Sequence, residues 1–447
     1  MTRLATGSAS QAGGIEVSRF VALASPDLPS PDPLSWPDYP AKLQAAERRA
    51  GTPQAVTVGL AEVGGESCVL ITFNFGFLGG SMGQEEGALI VHAIDEARRT
   101  RRPLVSVARS GGARMQEGTV ALVQMPRIAA ALAQLAAAGV PHISVADDPT
   151  TGGVWASLVA NADIIIGRSG AQVAFAGSRV LPGNVREQSS STVEGKYAAG
   201  FLDVVADETA VTAVVADYLR LLSPASRGEP TAPPLPTLRP GQPEEALAGW
   251  ASVGAARAPH RRRASDYLES YLREMRPVWG DRVGGTERQV LCGFGRREGR
   301  TIGFVCQQGG PVGPAGFRTA TRLFRLAQCL QIPVVTFIDT AGADNTPAAE
   351  RHGIGTSIAA QLRQLAETTV PVLSVVVGQG ISGGAVALIN PNSLWMAPDS
   401  YLAVIAPESA AAILKQDPSS AGEVAERLAL SPRDLVQLNV AQGVLTP

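Results

Sequence analysis

Two glycine-rich turns in the first half of the chain carry residues that could hold a developing negative charge. Residues 103–108 form an apolar run typical of a buried strand, and the sequence SGGARMQE follows at 110–117. A second apolar run at 142–146 leads to a Gly-Gly pair at 152–153, after which the sequence is typical of a helix. Strand ends and helix N-termini both offer N–H donors, so two converging turns would form an oxyanion hole. Two ordinary glycine turns in an α/β domain are the alternative.

The same arrangement recurs in the second half of the chain. Pro103 and Pro141 introduce the two strand-like runs and are 38 residues apart, and Pro333 and Pro371 are also 38 residues apart. A Gly-Gly pair follows 11 residues after Pro141 and 12 residues after Pro371. Matched spacing at two places 230 residues apart predicts a duplicated fold with one hole in each half. Two holes predict either two carbonyl-bearing reactants or a strong structural symmetry.

The elements that must position these turns are predicted to form two α/β domains. We expect a flexible leader at 1–35, a first domain at 36–222, a linker at 223–250 and a second domain at 251–447. The linker prediction rests on seven prolines between residues 223 and 243. Within the domains the patterns predict a helix at 38–50, two strands between 56 and 75, a helix at 125–139 and two strands between 289 and 308.

Composition restricts the classes of function. The 447 residues are 45% apolar and 17% charged with a net charge of −2, which is typical of a soluble globular protein without a nucleic-acid or membrane partner. No apolar run approaches the roughly 18 residues of a membrane span, and no signal peptide is evident, so a cytoplasmic location is expected. The four cysteines lie far apart with no C-x-x-C pair, which predicts reduced, mostly buried thiols.

Two further segments each allow two interpretations. The glycine-dense stretch at 74–83 opens a predicted helix, where it could bind phosphate or allow close packing. The triplet Arg261-Arg262-Arg263 could be a solvated surface or could meet the phosphates of a nucleotide-bearing cofactor.

Several motifs together resemble one enzyme family. Those in the first half are GGSMG at 79–83, SGGARMQE at 110–117, DPTTGGV at 148–154 and FAG at 175–177. Those in the second half are GFRTA at 316–320, FIDT at 337–340, SGGA at 382–385 and PE at 407–408. The first set resembles the β subunit and the second the α subunit of the bacterial acetyl-coenzyme A carboxylase carboxyltransferase. Over roughly residues 40–447 the chain is similar to a fusion of the two.

The resemblance implies a fold of two tandem crotonase-like domains, each a spiral of ββα units. It also implies transfer of a carboxyl group from carboxybiotin to the α-carbon of an acyl thioester. The thioester enolate would be held by Gly112, Ala113, Gly153 and Val154. The biotin ureido oxygen would be held by Gly342, Ala343, Gly384 and Ala385. Other residues of these turns are expected to contact substrate, namely Ser110, Gly111, Arg114, Gly152, Trp155 and Gly383.

The family's chemistry also implies partners. Biotin itself takes the α-proton in this family, which agrees with a chain that has only four histidines and no acid–base pair at the turns. Because no Met-Lys biotinylation site or ATP-grasp signature occurs, biotin is expected on a separate carrier protein, charged by a separate biotin carboxylase. A homodimer or higher homo-oligomer is expected, with the N-domain of one chain facing the C-domain of another. Whether the thioester is carried on coenzyme A or on an acyl carrier protein stays open.

Three departures from the family pattern bear on the site. The four cysteines of the β-subunit zinc ribbon are missing, so no metal is expected. The family sequence DTPGAxPG reads DTAGADNTP at 339–347, which alters the turn expected to face biotin. Trp155 stands where a small polar residue is common, and it either reshapes the acyl pocket or packs in the core.

The same residues also suggest three other functions. A decarboxylase of malonyl-type thioesters would use the same enolate hole, and a non-catalytic assembly subunit would keep the turns as vestiges. The sequence GISGG at 380–384 matches a hydrolase nucleophile elbow. In that fold the catalytic histidine follows the serine, whereas all four histidines here precede Ser382, so the hydrolase interpretation fails.

Overall fold

A computed structural model describes residues 10–176, 189–236, 239–241 and 247–446. The chain forms two compact units, the first comprising Met1–Ser226 with Arg282–Gly284 and the second Arg227–Asp281 with Gly285–Pro447. The boundary between Ser226 and Arg227 falls inside the segment predicted to be the linker. Parts of two predicted segments, residues 1–9 of the leader and residues 237–238 and 242–246 of the linker, lie outside the described residues, as does Gly177 of the FAG motif.

The first unit contains one large mixed sheet and a separate two-stranded sheet. Its strands are β1 (Ser10–Ala12), β2 (Ile15–Val17), β3 (Arg19–Ala22), β4 (Val56–Val63), β5 (Glu66–Phe73), β6 (Leu104–Ser110), β7 (His142–Thr151), β8 (Ile164–Arg168), β9 (Val173–Ala174) and β10 (Val204–Ala206). Its helices are α1 (Tyr39–Ala50), α2 (Gln84–Thr100), α3 (Gly118–Leu122), α4 (Gln124–Ala137), α5 (Gly152–Val154), α6 (Val193–Ala198) and α7 (Val211–Leu222). The sheet order is β10-β8-β7-β6-β5-β4-β3, with β9 beside β7 and with β1 and β2 paired separately.

The second unit repeats this plan. Helix α8 (Pro224–Arg227) crosses the boundary between the units. The strands are β11 (Arg239–Gly241), β12 (Arg273–Pro277), β13 (Val290–Arg297), β14 (Arg300–Gln307), β15 (Val334–Thr340), β16 (Val372–Ile381), β17 (Leu394–Met396), β18 (Tyr401–Ala403) and β19 (Gly443–Thr446). The helices are α9 (Gly249–Arg257), α10 (Ala264–Tyr271), α11 (Pro314–Leu330), α12 (Pro347–Arg351), α13 (Ile354–Glu367), α14 (Ser382–Val386), α15 (Pro407–Ile413), α16 (Ala421–Arg427) and α17 (Pro432–Gln437). The sheet order is β11-β19-β17-β16-β15-β14-β13-β12, with β18 beside β16.

Strand pairing demonstrates the duplication. In each unit an antiparallel hairpin, β4–β5 or β13–β14, leads into parallel pairs, β5–β6–β7–β8 or β14–β15–β16–β17. Ser110 of β6 pairs with Thr150, and Thr340 of β15 pairs with Gly380, each after a register shift. The parallel strands are nearly all buried, as expected for a sheet covered on both faces.

Amphipathic helices complete the core of each unit. In α2 the buried residues Leu89, Ile90, Ala93, Ile94 and Ala97 recur at helical spacing. Helix α11 of the second unit buries a matching face that includes Phe317, Leu323, Phe324 and Leu330. These faces pack on the hairpin strands of their own sheets.

One helical stretch, Met115–Ala137, is long and apolar enough to cross a membrane by length and composition, with a mean hydropathy of 1.4. It is interrupted, because Gly118 has a positive φ of 53° and α3 ends before α4 begins. Only the 14 residues of α4 are continuous, and at ~1.5 Å per residue they are shorter than a bilayer core. Ile128, Leu132 and Leu135 of α4 lie in the core of the first unit, as expected of a core helix.

Parts of the predicted leader and of the predicted linker form strands, and for the leader this differs from the flexibility expected of its described residues. Strand β3 pairs with β4, and Ile15 and Val17 of β2 are buried. Burial of these two alternating side chains fixes residues that the Ser/Pro/Gly-rich composition indicated to be flexible. Within the predicted linker, β11 pairs with β19 at the edge of the second sheet, a position that tolerates Pro240 because an edge strand needs fewer N–H donors.

Candidate functional site

The turn after β6 leaves one backbone amide free. Gly112 has a φ of 105°, which only glycine adopts readily, and its N–H donates to Oγ of Ser110 at 3.0 Å. The N–H of Gly111 donates to the carbonyl of Gly79 at 2.9 Å. Within the described part of the chain no acceptor takes the N–H of Ala113, which is half-buried. Ala113 is therefore the available donor of this turn, whereas the Gly112 amide is already engaged.

The turn after β7 lies against this donor. Gly152, with a φ of 60°, begins α5, and the first N–H groups of a helix have no acceptor within it. A Cβ atom on Gly152 would lie 3.1 Å from Cα of Gly112, and one on Gly112 would lie 3.8 Å from N of Gly153. The structure thus brings Gly152 and Gly153 next to the turn of Gly112 and Ala113, and the N–H of Gly153 is among those without an acceptor inside α5.

The turn after β15 has the same hydrogen bonds. Gly342 has a φ of 115°, and its N–H donates to Oγ1 of Thr340 at 3.0 Å, as that of Gly112 does to Ser110. Its carbonyl accepts from the N–H of Val312 at 2.9 Å, and the Gly112 carbonyl accepts from Met82 at 2.8 Å. Ala343 is half-buried like Ala113. The turn predicted to form the second hole therefore has the same backbone geometry as the turn after β6.

The altered sequence at 341–347 does not disrupt this turn. Oδ1 of Asp344 accepts the N–H of Thr346 at 2.9 Å, and Oγ1 of Thr346 accepts the N–H of Ala349 at 3.2 Å. These bonds cap α12, so the substituted residues form a closed turn of their own.

Strand register shows that the two Gly-Gly pairs are offset by one residue. Ser110 pairs with Thr150, and its counterpart Thr340 pairs with Gly380, so Thr150 corresponds to Gly380. Two residues later Gly152 corresponds to Ser382, and their φ values of 60° and 55° agree. Gly383 is thus the counterpart of Gly153, and Gly384 that of Val154. This corrects the predicted pairing by one residue. Counted from the N-cap Ile381, Ala385 carries the fifth N–H of α14, the first that bonds within the helix, so Ala385 lies one residue beyond the free N–H groups.

Gly384 is the most tightly constrained residue of the second hole. A Cβ atom there would lie 2.4 Å from the carbonyl carbon of Gly342 and 2.5 Å from N of Ala343. Both are backbone atoms, which cannot rotate away. The absence of a side chain at Gly384 is therefore a condition for the close approach of the two segments.

The prediction that the Arg114 side chain contacts substrate is wrong, because that side chain is 1% exposed and bonded internally. Its Nη2 lies 2.7 Å from Oε1 of Glu86 and 2.6 Å from the Ser81 carbonyl, and its Nη1 lies 3.3 Å from Oε1 of Glu117. The hydroxyl of Tyr39 also donates to Glu117. Arg114 therefore joins the SGGARMQE motif to the GGSMG motif and holds the turn in place from the buried side.

The glycines at 79–83 serve this packing. A Cβ atom on Gly83 would lie 2.2 Å from Oε1 of Glu117, and one on Gly80 would lie 2.1 Å from the Arg109 carbonyl. Of the two interpretations of this stretch, close packing accounts for both glycines.

The other predicted site residues lie in or next to the two turns. Seven of them are buried, namely Ser110, Gly112, Gly153, Val154, Gly342, Gly384 and Ala385. Five are half-buried, namely Ala113, Gly152, Trp155, Ala343 and Gly383, and Gly111 is exposed. Ser110 is buried, and its Oγ accepts the N–H of Gly112. Trp155 packs against the core of the first unit, and its carbonyl accepts the N–H of Ala160 at 2.8 Å in a π-helical turn.

Arg261 of the basic triplet, His142 and the cysteines Cys68 and Cys292 have buried side chains. Arg261 is buried against Asp339, with Nη2 2.6 Å from Oδ2, so it does not meet a phosphate. His142 is buried with Nε2 2.8 Å from Oγ of Ser106, and burial lowers its pKa to about 3. Cys68 and Cys292 are buried thiols whose pKa burial raises to about 12. Across the described ranges no cluster of three His, Cys, Asp or Glu side chains could hold a metal ion.

Glu85, at the start of α2, gives a pH-dependent prediction. Burial first, and the Glu86 carboxylate second, raise its pKa to about 7. A raised pKa in the folded state adds stability at low pH, and this stability is lost as pH rises through about 7. We expect that the free energy of unfolding of Glu85→Gln, measured in urea, does not show this fall between pH 5 and pH 8. Asp95→Asn, on the exposed side of the same helix, is the control, and equal pH slopes for Glu85→Gln and the wild type would contradict the prediction.

Comparisons with known proteins agree with this geometry. A family profile described as acetyl co-enzyme A carboxylase carboxyltransferase-like matches residues 242–446. Across 455 aligned residues the chain is 37% identical to the acetyl-coenzyme A carboxylase carboxyl transferase subunits beta/alpha of Salinispora tropica, covering 96% of this chain and 80% of the relative. The chain belongs to the acetyl-coenzyme A carboxylase carboxyltransferase family. It is an enzyme of the carboxyltransferase class.

Other relatives of this carboxyltransferase broaden the comparison. It is 32% identical to a probable biotin-dependent acyl-coenzyme A carboxylase beta3 subunit of Mycobacterium bovis, with 93% of this chain and 85% of the relative covered. A crystal structure of transcarboxylase 12S with hydrolysed methylmalonyl-coenzyme A bound superimposes with a TM-score of 0.77 at 21% identity, covering 96% of this chain and 84% of that one. These neighbours confirm the predicted crotonase-like fold of both halves.

Proposed function

We propose that this carboxyltransferase moves a carboxyl group between biotin and the α-carbon of an acyl thioester. The observation that supports it is the pair of holes with matching hydrogen bonds, Ser110 to Gly112 in one unit and Thr340 to Gly342 in the other. Each leaves a free alanine amide next to a helix N-terminus. Two such holes suit a reaction in which two carbonyl oxygens become negative in turn.

In the first hole the N–H groups of Ala113 and Gly153 hold the thioester carbonyl oxygen as its enolate forms. Both are backbone donors fixed by the fold, so they need no reorganisation when charge develops, and each is worth ~2.7–4 kcal/mol of barrier. The buried Arg114 keeps the Ala113 turn in place through its bonds to Glu86 and Glu117.

The residues of the second hole fit the ureido group of biotin. The close approach of Gly384 to the Gly342–Ala343 peptide creates a narrow backbone cradle, and the N–H groups of Ala343 and Gly383 face the oxygen that becomes negative. When bound there, carboxybiotin supplies the carboxyl group and then a base for the α-proton. The chain holds that charge with neutral amides, since no His side chain bonds either turn in the described residues.

We propose partners on the same grounds. Biotin arrives on a separate biotin carboxyl carrier protein after charging by a biotin carboxylase, in the cytoplasm. The thioester is an acyl-coenzyme A, by analogy with the named relatives, and an acyl carrier protein is the alternative carrier. A homodimer is the smallest assembly that places the N-domain of one chain opposite the C-domain of another, and malonyl-coenzyme A for fatty acid or polyketide synthesis is the proposed product.

Trp155 is proposed to limit the acyl chain. It is half-buried directly after the first hole, so part of its ring is available to a substrate while the rest packs on the core. We expect Trp155→Ser to raise the relative kcat/KM for longer acyl groups by about 10-fold, since one or two methylenes in an apolar pocket change binding by ~1–3 kcal/mol. Competition between acetyl- and butyryl-coenzyme A measures this, and an unchanged preference would show that Trp155 is only a core residue.

The proposed function is tested by incubating the chain with malonyl-coenzyme A, with and without free biotin, and following the thioesters by mass spectrometry. Biotin-dependent formation of acetyl-coenzyme A supports the transferase. Formation without biotin would make the enzyme a decarboxylase. No turnover with coenzyme A or carrier-protein thioesters would support a non-catalytic assembly subunit, which the intact second turn argues against.

A further inference from the structure

Gln307, the last residue of β14, is a buried polar side chain that reaches the second hole. It is 0% exposed, and its Nε2 donates to the carbonyl of Gly384 at 2.8 Å. Its Oε1 is also buried and has no hydrogen-bond partner in the described part of the chain. A buried acceptor without a partner is destabilising, so stability alone does not account for a glutamine here.

The first unit offers an internal comparison. Val69 pairs with Leu104 in the first sheet, and Gly303 pairs with Val334 at the same place in the second, so Val69 and Gly303 are counterparts. Four residues further along each strand, Phe73 is the counterpart of Gln307. Phe73 is 3% exposed and belongs to the apolar core. In the first unit the same position of the same fold is therefore filled by an apolar core residue.

The contact with Gly384 bears directly on the geometry of the second hole. The Cα atom of Gly384 packs so closely on the peptide before Ala343 that a Cβ atom would lie 2.5 Å from the Ala343 nitrogen. A bond that fixes the Gly384 carbonyl therefore also fixes the distance between the start of α14 and the Ala343 amide. Strand β14 neighbours β15, so Gln307 ties the helix to the sheet from which the Ala343 turn emerges.

We propose that Gln307 is a positioning residue for the second hole, holding the start of α14 at the separation from Ala343 that one oxyanion requires. The inference rests on the proposed function, because it assigns the second hole to the biotin half of the reaction. Gln307 does not touch the ligand and acts only through Gly384.

The first variant that tests this is Gln307→Met, which keeps the volume but removes the donor. We expect kcat for biotin-dependent decarboxylation of malonyl-coenzyme A to fall ~10- to 100-fold, since small displacements of catalytic groups have effects of this size. The KM for malonyl-coenzyme A should stay unchanged because the thioester is held in the first hole. The melting temperature should not fall, because the unpartnered acceptor is removed as well. Gln308→Met is the control, since within the described residues the Gln308 side chain bonds only to Cys306.

The second variant, Gln307→Glu, gives a readout that a purely structural role would not move. Its carboxyl can donate to the Gly384 carbonyl only when protonated, and burial raises the pKa of such a group. We expect a kcat that is near the wild-type value at pH 5.5 and falls as pH rises, beyond any fall of the wild type. Wild-type kcat in Gln307→Met, or a wild-type pH profile in Gln307→Glu, would overturn the inference. A wild-type enzyme without biotin-dependent turnover would instead overturn the proposed function.

Discussion

Replacing Gly384 by alanine is expected to reduce biotin-dependent decarboxylation of malonyl-coenzyme A by at least ~100-fold, the effect of losing one hole donor. The added Cβ atom would lie 2.4 Å from the Gly342 carbonyl carbon and 2.5 Å from the Ala343 nitrogen, so the two segments of the hole must separate. The KM for malonyl-coenzyme A should change little, because the first hole is formed by the other unit. Steady-state kinetics with free biotin measures both constants.

Gly355→Ala is the matched control for this substitution. Gly355 lies in α13 of the same unit, and a Cβ atom there would have no neighbour within 4 Å. It should keep the wild-type rate. Wild-type kcat in Gly384→Ala would contradict the role of the second hole, and a melting temperature measured for both variants separates a local displacement from loss of the fold.

Replacing Arg114 by methionine is expected to lower the free energy of unfolding by ~3–5 kcal/mol, because it leaves buried carboxylates without their cation. Both Glu86 and Glu117 bond Arg114, and all three side chains are at most 1% exposed. The loss should be smaller at pH 5 than at pH 8, since burial raises the pKa of Glu117 and removal of the Arg114 cation raises this pKa further, so the carboxyl binds a proton in the folded state. Urea unfolding at the two pH values measures this.

Arg98→Met is the control for the charge change. Arg98 pairs with Asp95 at 3.3 Å on the surface, where its side chain is 43% exposed, and such pairs contribute at most ~0.5 kcal/mol. Equal losses for the two variants, or a loss at Arg114 that does not depend on pH, would show that the buried cluster does not support the turn by charge pairing.

Much of the fold followed from spacing. The equal separations of Pro103 from Pro141 and of Pro333 from Pro371 predicted the duplication, because parallel strands buried between helices read as short apolar runs at regular intervals. The leader could not be predicted in the same way. Ile15 and Val17 show a pattern of only three residues, and their burial depends on pairing with distant parts of the chain.

The site was predicted only at the level of its turns. The glycines identified which loops converge, but not which amides stay free, because Ser110 and Thr340 take the Gly112 and Gly342 donors through side-chain bonds that no sequence pattern indicates. Arg114 looked like a ligand contact because it stands in a glycine turn. Its burial is decided by Glu86, which lies 28 residues away in sequence.

The offset between the two halves also needed coordinates. Matching the Gly-Gly letters aligned Gly152 with Gly383, whereas strand register and the shared positive φ align it with Ser382. A serine in the left-handed region costs ~1–2 kcal/mol, so the letters favoured the wrong alignment.

The central claim is that the enzyme passes a carboxyl group directly between a thioester and biotin by means of two holes, one from each type of unit. The most direct measurement uses malonyl-coenzyme A labelled with ¹³C in its free carboxyl, incubated with the enzyme and excess biotin, with carboxybiotin trapped as its methyl ester for mass spectrometry. We expect one labelled carboxyl on biotin for each acetyl-coenzyme A formed at early times, and labelling at least ~100-fold slower with Gly384→Ala. Label that appears only in bicarbonate, at a rate independent of biotin, would contradict it.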